Sequence, residues 1–317
     1  MNWSNDKKPL IIIAGPTAIG KSDISVKLAA KIGGEIISAD SMQVYKNMDI
    51  GTAKITNEEM MGINHYLIDV LDPKEDFNIV TFQSMAKEAL DLIYSKGKIP
   101  IICGGTGFYI QSVIYDTDFT MACEMDEYRK SLVSISQEKG NEYLHDLLQN
   151  VDPVSAEKIH FNDTKRVIRA LEYYKQTGER ISDHNLKQSQ NISPYDFLLF
   201  VLTDEREKIY ERIDKRVDVM IDKGLVNEVT YLKALGLDRS YVSMKGLGYK
   251  EILEYLDGEI TLSEAIYKIK RDSRHFAKRQ LTWFKKEKDV IWIDRNKKDE
   301  NAILEEMADR INNILGD

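Results

Sequence analysis

The chain has 317 residues and a formal net charge of −8 at pH 7, with 43% apolar and 30% charged residues. That length allows a core plus an insertion or second domain. The acidic balance excludes a protein that coats nucleic acid by bulk charge, but leaves room for a local basic patch. The two cysteines, Cys103 and Cys123, the lack of a Cys/His cluster at zinc spacing and the short apolar runs argue against a disulfide scaffold, a zinc module and a membrane-spanning chain. A reduced, cytoplasmic enzyme is the expectation.

Residues 10–15 read as a first strand and 21–32 as a first helix. Between them lies Gly15-Pro16-Thr17-Ala18-Ile19-Gly20-Lys21-Ser22, which has the full P-loop spacing. Glycine lets backbone N–H groups point at one anion without Cβ obstruction, and the positive end of the following helix faces the same spot. Lys21 adds a full charge, and the Ser22 hydroxyl is placed to hold Mg²⁺. An ordinary β–α turn would leave the lysine unexplained.

Residues 35–40 read as a second strand ending in a carboxylate, Asp40. Residues 67–70 read as a short strand, 78–96 as a helix by the spacing of Val80, Phe82, Met85, Ala89, Leu92 and Ile93, and 99–103 as a strand closed by Gly104-Gly105-Thr106-Gly107. Apolar strands alternating with helices predict an α/β fold, a parallel sheet flanked by helices. Ligands in such sheets bind at the carboxyl ends of strands, so the P-loop, Asp40 and Thr106 are expected around one crevice.

From about residue 118 the pattern is all-helical, with helices predicted at 126–139, 141–149, 153–160 and 163–177. Residues 197–202 return to a strand. Helices follow at 204–222, 225–235, 245–256 and 261–287, then a strand at 290–293 and a helix at about 300–315. The expected organisation is a P-loop core over 1–117, a helical insertion over 118–195 and a core completion over 196–317. In the 261–287 helix, Ile266, Ile269, Ala277 and Phe284 share one face. Arg271, Arg274, Lys278 and Lys285 form an adjoining stripe beside Tyr267, with Lys268, Arg279 and Lys286 further round. A solvated face accounts for most charge runs. A cation-rich helix in an acidic chain points instead to phosphate-backbone contact.

Several further stretches stand in a definite order. They are Asp40-Ser41-Met42-Gln43-Val44-Tyr45, Asp49-Ile50-Gly51-Thr52-Ala53-Lys54 and His65-Tyr66-Leu67-Ile68-Asp69. Then come Gly104-Gly105-Thr106-Gly107-Phe108-Tyr109-Ile110-Gln111, Asn162-Asp163-Thr164-Lys165-Arg166-Val167-Ile168-Arg169-Ala170-Leu171-Glu172, Gly248-Tyr249-Lys250-Glu251 and Ala277-Lys278-Arg279-Gln280-Leu281-Thr282-Trp283-Phe284. With the P-loop, and over nearly the whole chain, they resemble the bacterial tRNA dimethylallyltransferases, also called tRNA isopentenyltransferases. The Lys245-Gly246-Leu247 segment departs slightly from the family pattern.

The resemblance implies a P-loop NTPase-like core with an all-helical insertion. It also implies transfer of a dimethylallyl group from its diphosphate to the exocyclic amine of the adenosine at position 37 of certain tRNAs. Residues 15–22, with Gly15, Pro16, Thr17, Ala18, Ile19, Gly20, Lys21 and Ser22, would hold the diphosphate. Arg216 could join them, or it could pair with Glu211 or Asp214 on the surface, as could Arg212. Asp40 would be the base, with Thr106 and Lys21 beside the reacting groups. Asp40 could instead cap the next loop, and Thr106 could cap the next helix. Ser41, Met42 and Gln43 would meet the extruded base. Arg129, Lys165, Arg166, Val167, Ile168 and Arg169 would grip the anticodon arm, although the cations among Lys165, Arg166 and Arg169 could equally pair with Asp163 or Glu172. Lys245, Gly248, Tyr249 and Lys250 are expected to contact RNA, as are Arg274, Lys278, Arg279, Gln280, Thr282, Trp283 and Lys285.

Mg²⁺ near Ser22 is the expected cofactor, and the tRNA anticodon stem-loop and dimethylallyl diphosphate are the expected partners of a monomer. A P-loop kinase acting on a small molecule or nucleotide is the rival reading; a non-catalytic tRNA-binding module leaves the P-loop unexplained.

Overall fold

The computed structural model describes residues 7–119 and 126–315, which fall into two compact units: the chain up to Ile114 together with that from Pro194 onward, and Tyr115–Ser193. The first unit begins with β1 (Lys8–Ala14), α1 (Lys21–Ile32), β2 (Gly34–Ala39), β3 (His65–Tyr66), α2 (Ile79–Ser95), β4 (Ile99–Gly104) and α3 (Gly107–Ile114). The second unit holds α4 (Asp126–Lys139), α5 (Asn141–Val151), α6 (Pro153–Lys158), α7 (Thr164–Thr177) and α8 (Ile181–Gln188). The first unit then resumes with β5 (Tyr195–Thr203), α9 (Arg206–Asp222), α10 (Leu225–Ala234), α11 (Tyr249–Leu256), α12 (Leu262–Phe284), β6 (Val290–Asp294) and α13 (Glu300–Leu315).

The sheet order is β3-β2-β4-β1-β5-β6, and every pairing is parallel. β2 and β4 are buried along their whole length, and β1 is buried except at Lys8, as parallel strands covered on both faces must be. Ile11, Ile13, Ile101, Phe200 and Leu202 join α1 and α13 in one core through Ile24, Leu28, Ile303, Met307 and Ile311. In the second unit, Leu132, Leu144, Leu148, Val167 and Leu171 form a separate core.

One expected strand is displaced. Pairing with β2 occurs at His65 and Tyr66, opposite Ile36 and Ile37, and not over 67–70. Leu67 and Asp69 have φ of +63° and +55°, which no strand tolerates. The N–H groups of Asp69 and Val70 go instead to the carbonyls of Gln43 and Val44. The apolar run at 67–70 is thus a loop docked on the segment after β2. Helices α3 and α8 lie where the sequence pattern assigns no element. The helix expected from 245 starts four residues later, at Tyr249, because Gly248 (φ +96°) forms its N-cap.

Glu35 in β2 has a buried carboxylate. Burial pushes its pKa up, but hydrogen bonds from Lys98, Tyr66, Asn64 and Lys96 outweigh this and hold it down at about 2. The folded pKa lies below the unfolded one. The stabilisation is therefore complete above about pH 4.5 and is lost as pH falls towards about 2. Glu35→Ala is expected to cost about 1–3 kcal/mol in urea denaturation at neutral pH, and the deficit relative to wild type should shrink as the solution is acidified. An unchanged urea midpoint at neutral pH would show the cluster to be energetically idle.

Candidate active site

The turn between β1 and α1 is held open by its glycines. Gly15 has φ +146°, and a Cβ there would lie 2.7 Å from the Leu202 carbonyl oxygen. Gly20 caps α1 in the left-handed region, at φ +85°. Arg295, just past β6, donates to the Ile19 carbonyl from the far side of the loop. The sequence pattern offered no signal for that brace.

Inside the loop, Lys21 Nζ donates to the Pro16 carbonyl at 2.8 Å. Burial lowers the Lys21 pKa to about 8; nearby Cys103 acts against this, Arg216 reinforces it and Asp40 opposes it. Burial raises the Cys103 thiol, with Ser25 opposing. Ser22 is exposed in the first turn of α1 and lines the same crevice as Lys21 and Asp40. No group of three or more His, Cys, Asp or Glu side chains able to hold a metal occurs among the described residues. A hard cation held mainly by a ligand's phosphate oxygens, with Ser22 as its protein contact, fits this donor set better than an all-protein cage does.

Asp40 follows the last residue of β2. Its Oδ1 accepts from the N–H of Met42 at 2.8 Å and of Gln43 at 3.3 Å, so it does cap the next loop. Oδ2 makes no hydrogen bond among the described residues, which leaves one carboxylate oxygen available. Arg216 of α9 approaches from across the crevice, and its Nη2 donates to the Thr52 carbonyl at 3.2 Å. Burial lowers the Arg216 pKa, opposed by Asp40. Arg216 is therefore not the surface partner of Glu211 or Asp214, and Arg212 pairs instead with the buried carboxylate of Asp204 at 2.6 Å.

Three cavities share walls here. A small one of about 80 Å³ is lined by Thr17, Lys21, Ser22, Asp40, Gln43, Gly105 and Arg216, among others. A second, of about 350 Å³, adds Ser41, Met42, Lys245, Lys250 and Arg279 to Thr17, Asp40 and Arg216. A third, of about 520 Å³, meets the P-loop flank at Ala18, Gly20, Lys21 and Ser22, again with Arg216. Thr106 lies next to Gly105 at the start of α3, and its carbonyl accepts from the N–H groups of Tyr109 and Ile110.

Several residues expected at an RNA surface are held elsewhere. Gln280 is buried: its Oε1 accepts the Thr17 N–H at 2.9 Å, and its Nε2 donates to the Gly105 carbonyl at 3.1 Å. It clips the P-loop to the end of β4, and a Cβ on Gly105 would lie 2.1 Å from that Nε2. Tyr249 is fully buried, with its hydroxyl on Glu228 at 2.7 Å, and Gly248 is buried beside it. Val167 and Ile168 belong to the second unit's core, turning Lys165 and Arg166 to solvent on the opposite face of α7. Arg129 lies on Glu172 at 2.7 Å, and Arg166 is 3.4 Å from Asp163. Arg274 is paired with Asp214, and Arg271 with Asp272 at 2.8 Å.

Lys268 and Lys270 are paired too, with Glu254 and Asp218, but the cations at the C-terminal end of α12 and just beyond it differ. Lys278, Arg279, Lys285 and Lys286 are exposed and form no ion pair among the described residues. Trp283 stands with them, edge-on to Phe108 at 6.0 Å between ring centroids. Thr282 donates to the carbonyl of Lys278 within the helix, at 2.9 Å. A solvated face would be expected to interleave acids; this end of the helix does not.

A phosphate cradle and a strand-end carboxylate thus face one crevice, and exposed cations gather at the end of α12. The sequence profile of the family described as IPP transferase matches residues 43–287, and the chain belongs to that family. It is 60% identical over 304 residues to a tRNA dimethylallyltransferase of Lachnoclostridium phytofermentans, covering 95% of this chain and 96% of that one. Its fold is similar to the full-length tRNA isopentenylpyrophosphate transferase of Bacillus halodurans, with TM-score 0.75 and 43% identity over 98% of this chain and 97% of that one. A eukaryotic dimethylallyltransferase acting on tRNA matches with TM-score 0.84 and 31% identity, over 96% of this chain and 80% of that one.

Proposed function

We propose that the chain transfers a dimethylallyl group from dimethylallyl diphosphate to the exocyclic amine of adenosine 37 in tRNA, releasing diphosphate. One observation carries this: Asp40 and Arg216 line both the small crevice containing Lys21 and the wider cavity bordered by Ser41, Met42, Lys245 and Arg279. A diphosphate on the P-loop and an adenine entering from the wider side would meet at Asp40. The family membership and the close tRNA dimethylallyltransferase relative support the same reading over a kinase.

The chemistry follows from the charges. The allylic carbon–oxygen bond breaks, its electron pair leaves with the diphosphate, and a carbon–nitrogen bond forms to the adenine amine. Lys21, the P-loop N–H groups and Arg216 stabilise the charge growing on the leaving group. Mg²⁺ held by Ser22 and the diphosphate would neutralise part of that charge. The amine is a weak nucleophile because its lone pair is shared with the ring. The free oxygen of Asp40 takes the amine proton as the new bond forms.

The adenine must leave its stack to reach this depth. Lys278, Arg279 and Lys285 would hold phosphates of the anticodon arm, and Lys165 and Arg166, exposed on the second unit, are cations of the same kind. A tRNA substrate supports the cytoplasmic location expected from the sequence.

The test is direct. Labelled dimethylallyl diphosphate is incubated with the protein and an anticodon stem-loop carrying consecutive adenosines. Label is expected in the RNA, on the amine. Label, carried on the dimethylallyl carbons, that stays in unreacted dimethylallyl diphosphate or appears only in the free alcohol, or phosphoryl transfer when ATP is supplied in its place, would overturn the proposal.

A further inference from the structure

Glu228 on α10 carries a carboxylate with an unusual set of donors. It accepts the N–H of Asp49 at 2.8 Å, of Ile50 at 2.7 Å and of Gly51 at 3.1 Å, and the hydroxyl of Tyr249 at 2.7 Å. Three successive backbone amides and a phenol thus converge on one anion, an arrangement that only a charged acceptor satisfies well. The Tyr249 ring also packs against the turn: a Cβ on Gly51 would lie 2.6 Å from it. Glu228 holds the turn through its three amides, and buried Tyr249 holds both Glu228 and the turn.

The turn leads straight to Thr52. Its carbonyl takes the Arg216 Nη2 hydrogen bond at 3.2 Å and lies 3.4 Å from Gln43 Nε2. Arg216 lines all three cavities, while Glu228 lines none of them.

We propose that Glu228 is a positioning residue. Through the 49–52 turn it fixes the Arg216 guanidinium between the P-loop and Asp40, where the transfer reaction argued above needs a positive charge. The assignment rests on that reading for its consequence, but not for its geometry.

The test is a double-mutant cycle on Glu228→Gln and Arg216→Gln. Glutamine keeps the shape of Glu228 but turns one acceptor into a donor facing N–H groups. Glu228→Gln is expected to lower the single-turnover rate by up to about 100-fold, the scale of a small misplacement in a site. Stem-loop affinity should stay within about threefold, since the RNA-facing cations are untouched. In the Arg216→Gln background, Glu228→Gln should cost nothing further.

Losses that multiply, or a wild-type rate in Glu228→Gln, would overturn the proposal. If the wild-type protein transferred no prenyl group, that would count against the function proposed above. The same cycle, read as the affinity for inorganic diphosphate by calorimetry, would then still decide whether Glu228 acts through Arg216. Glu228→Asp, which keeps the charge but shortens the reach, serves if the glutamine variant does not fold.

Discussion

Asp40→Asn is expected to slow prenyl transfer by about 10²- to 10⁴-fold, the range in which a positioned general base contributes. Asparagine is the informative substitution because it keeps the Oδ1 acceptor that holds the Met42 and Gln43 amides. The loop bordering the wider cavity should therefore stay in place, and stem-loop affinity should change by no more than a few-fold. Only the second oxygen, which makes no hydrogen bond among the described residues, loses its ability to accept a proton. Single-turnover rates with both substrates saturating separate the two effects. An asparagine variant with the wild-type rate would remove Asp40 as the base and leave it as a loop cap.

Lys21→Ala is expected to lower the transfer rate by about 10²- to 10³-fold, as for the loss of one strong stabiliser of developing charge. It should also remove a pH dependence from diphosphate binding. Burial holds the free Lys21 ammonium at about 8, and an arriving anion raises that value. Binding then takes up a proton between the free and the bound pKa. The ratio of wild-type to Lys21→Ala affinity, in which the ionisation of diphosphate itself cancels, should be flat below about pH 8 and fall by up to about tenfold per pH unit above it. Calorimetry in buffers of different ionisation enthalpy reads the extra proton taken up by the wild type over the variant. A ratio that rises through this range would reverse the assigned sign.

Much of this site could be read from residue order alone. Glycine and lysine at fixed spacing between an apolar run and a helix leave few alternatives to an anion cradle. Asp40 at the end of a buried strand had to reach the same edge of a parallel sheet. What escaped was long-range pairing. Gln280 sits in a cation-rich helix and reads as surface, yet both ends of its amide are consumed 263 and 175 residues away, at Thr17 and Gly105. Tyr249, Val167 and Ile168 sit inside motifs rich in polar residues, but each is a core side chain that aims its neighbours. The apolar stretch at 67–70 looked like a strand because hydrophobicity does not report φ, and Leu67 and Asp69 break the ladder there. Arg274 reads as a free cation until the fold brings Asp214 against it.

The shared wall at Arg216 bears on how spent molecules depart. It borders the roughly 520 Å³ opening on the P-loop flank as well as the roughly 350 Å³ opening on the Asp40 side. Were a polynucleotide over the second to leave the first uncovered, diphosphate would have its own exit, and the modified nucleic acid could depart before it or after it.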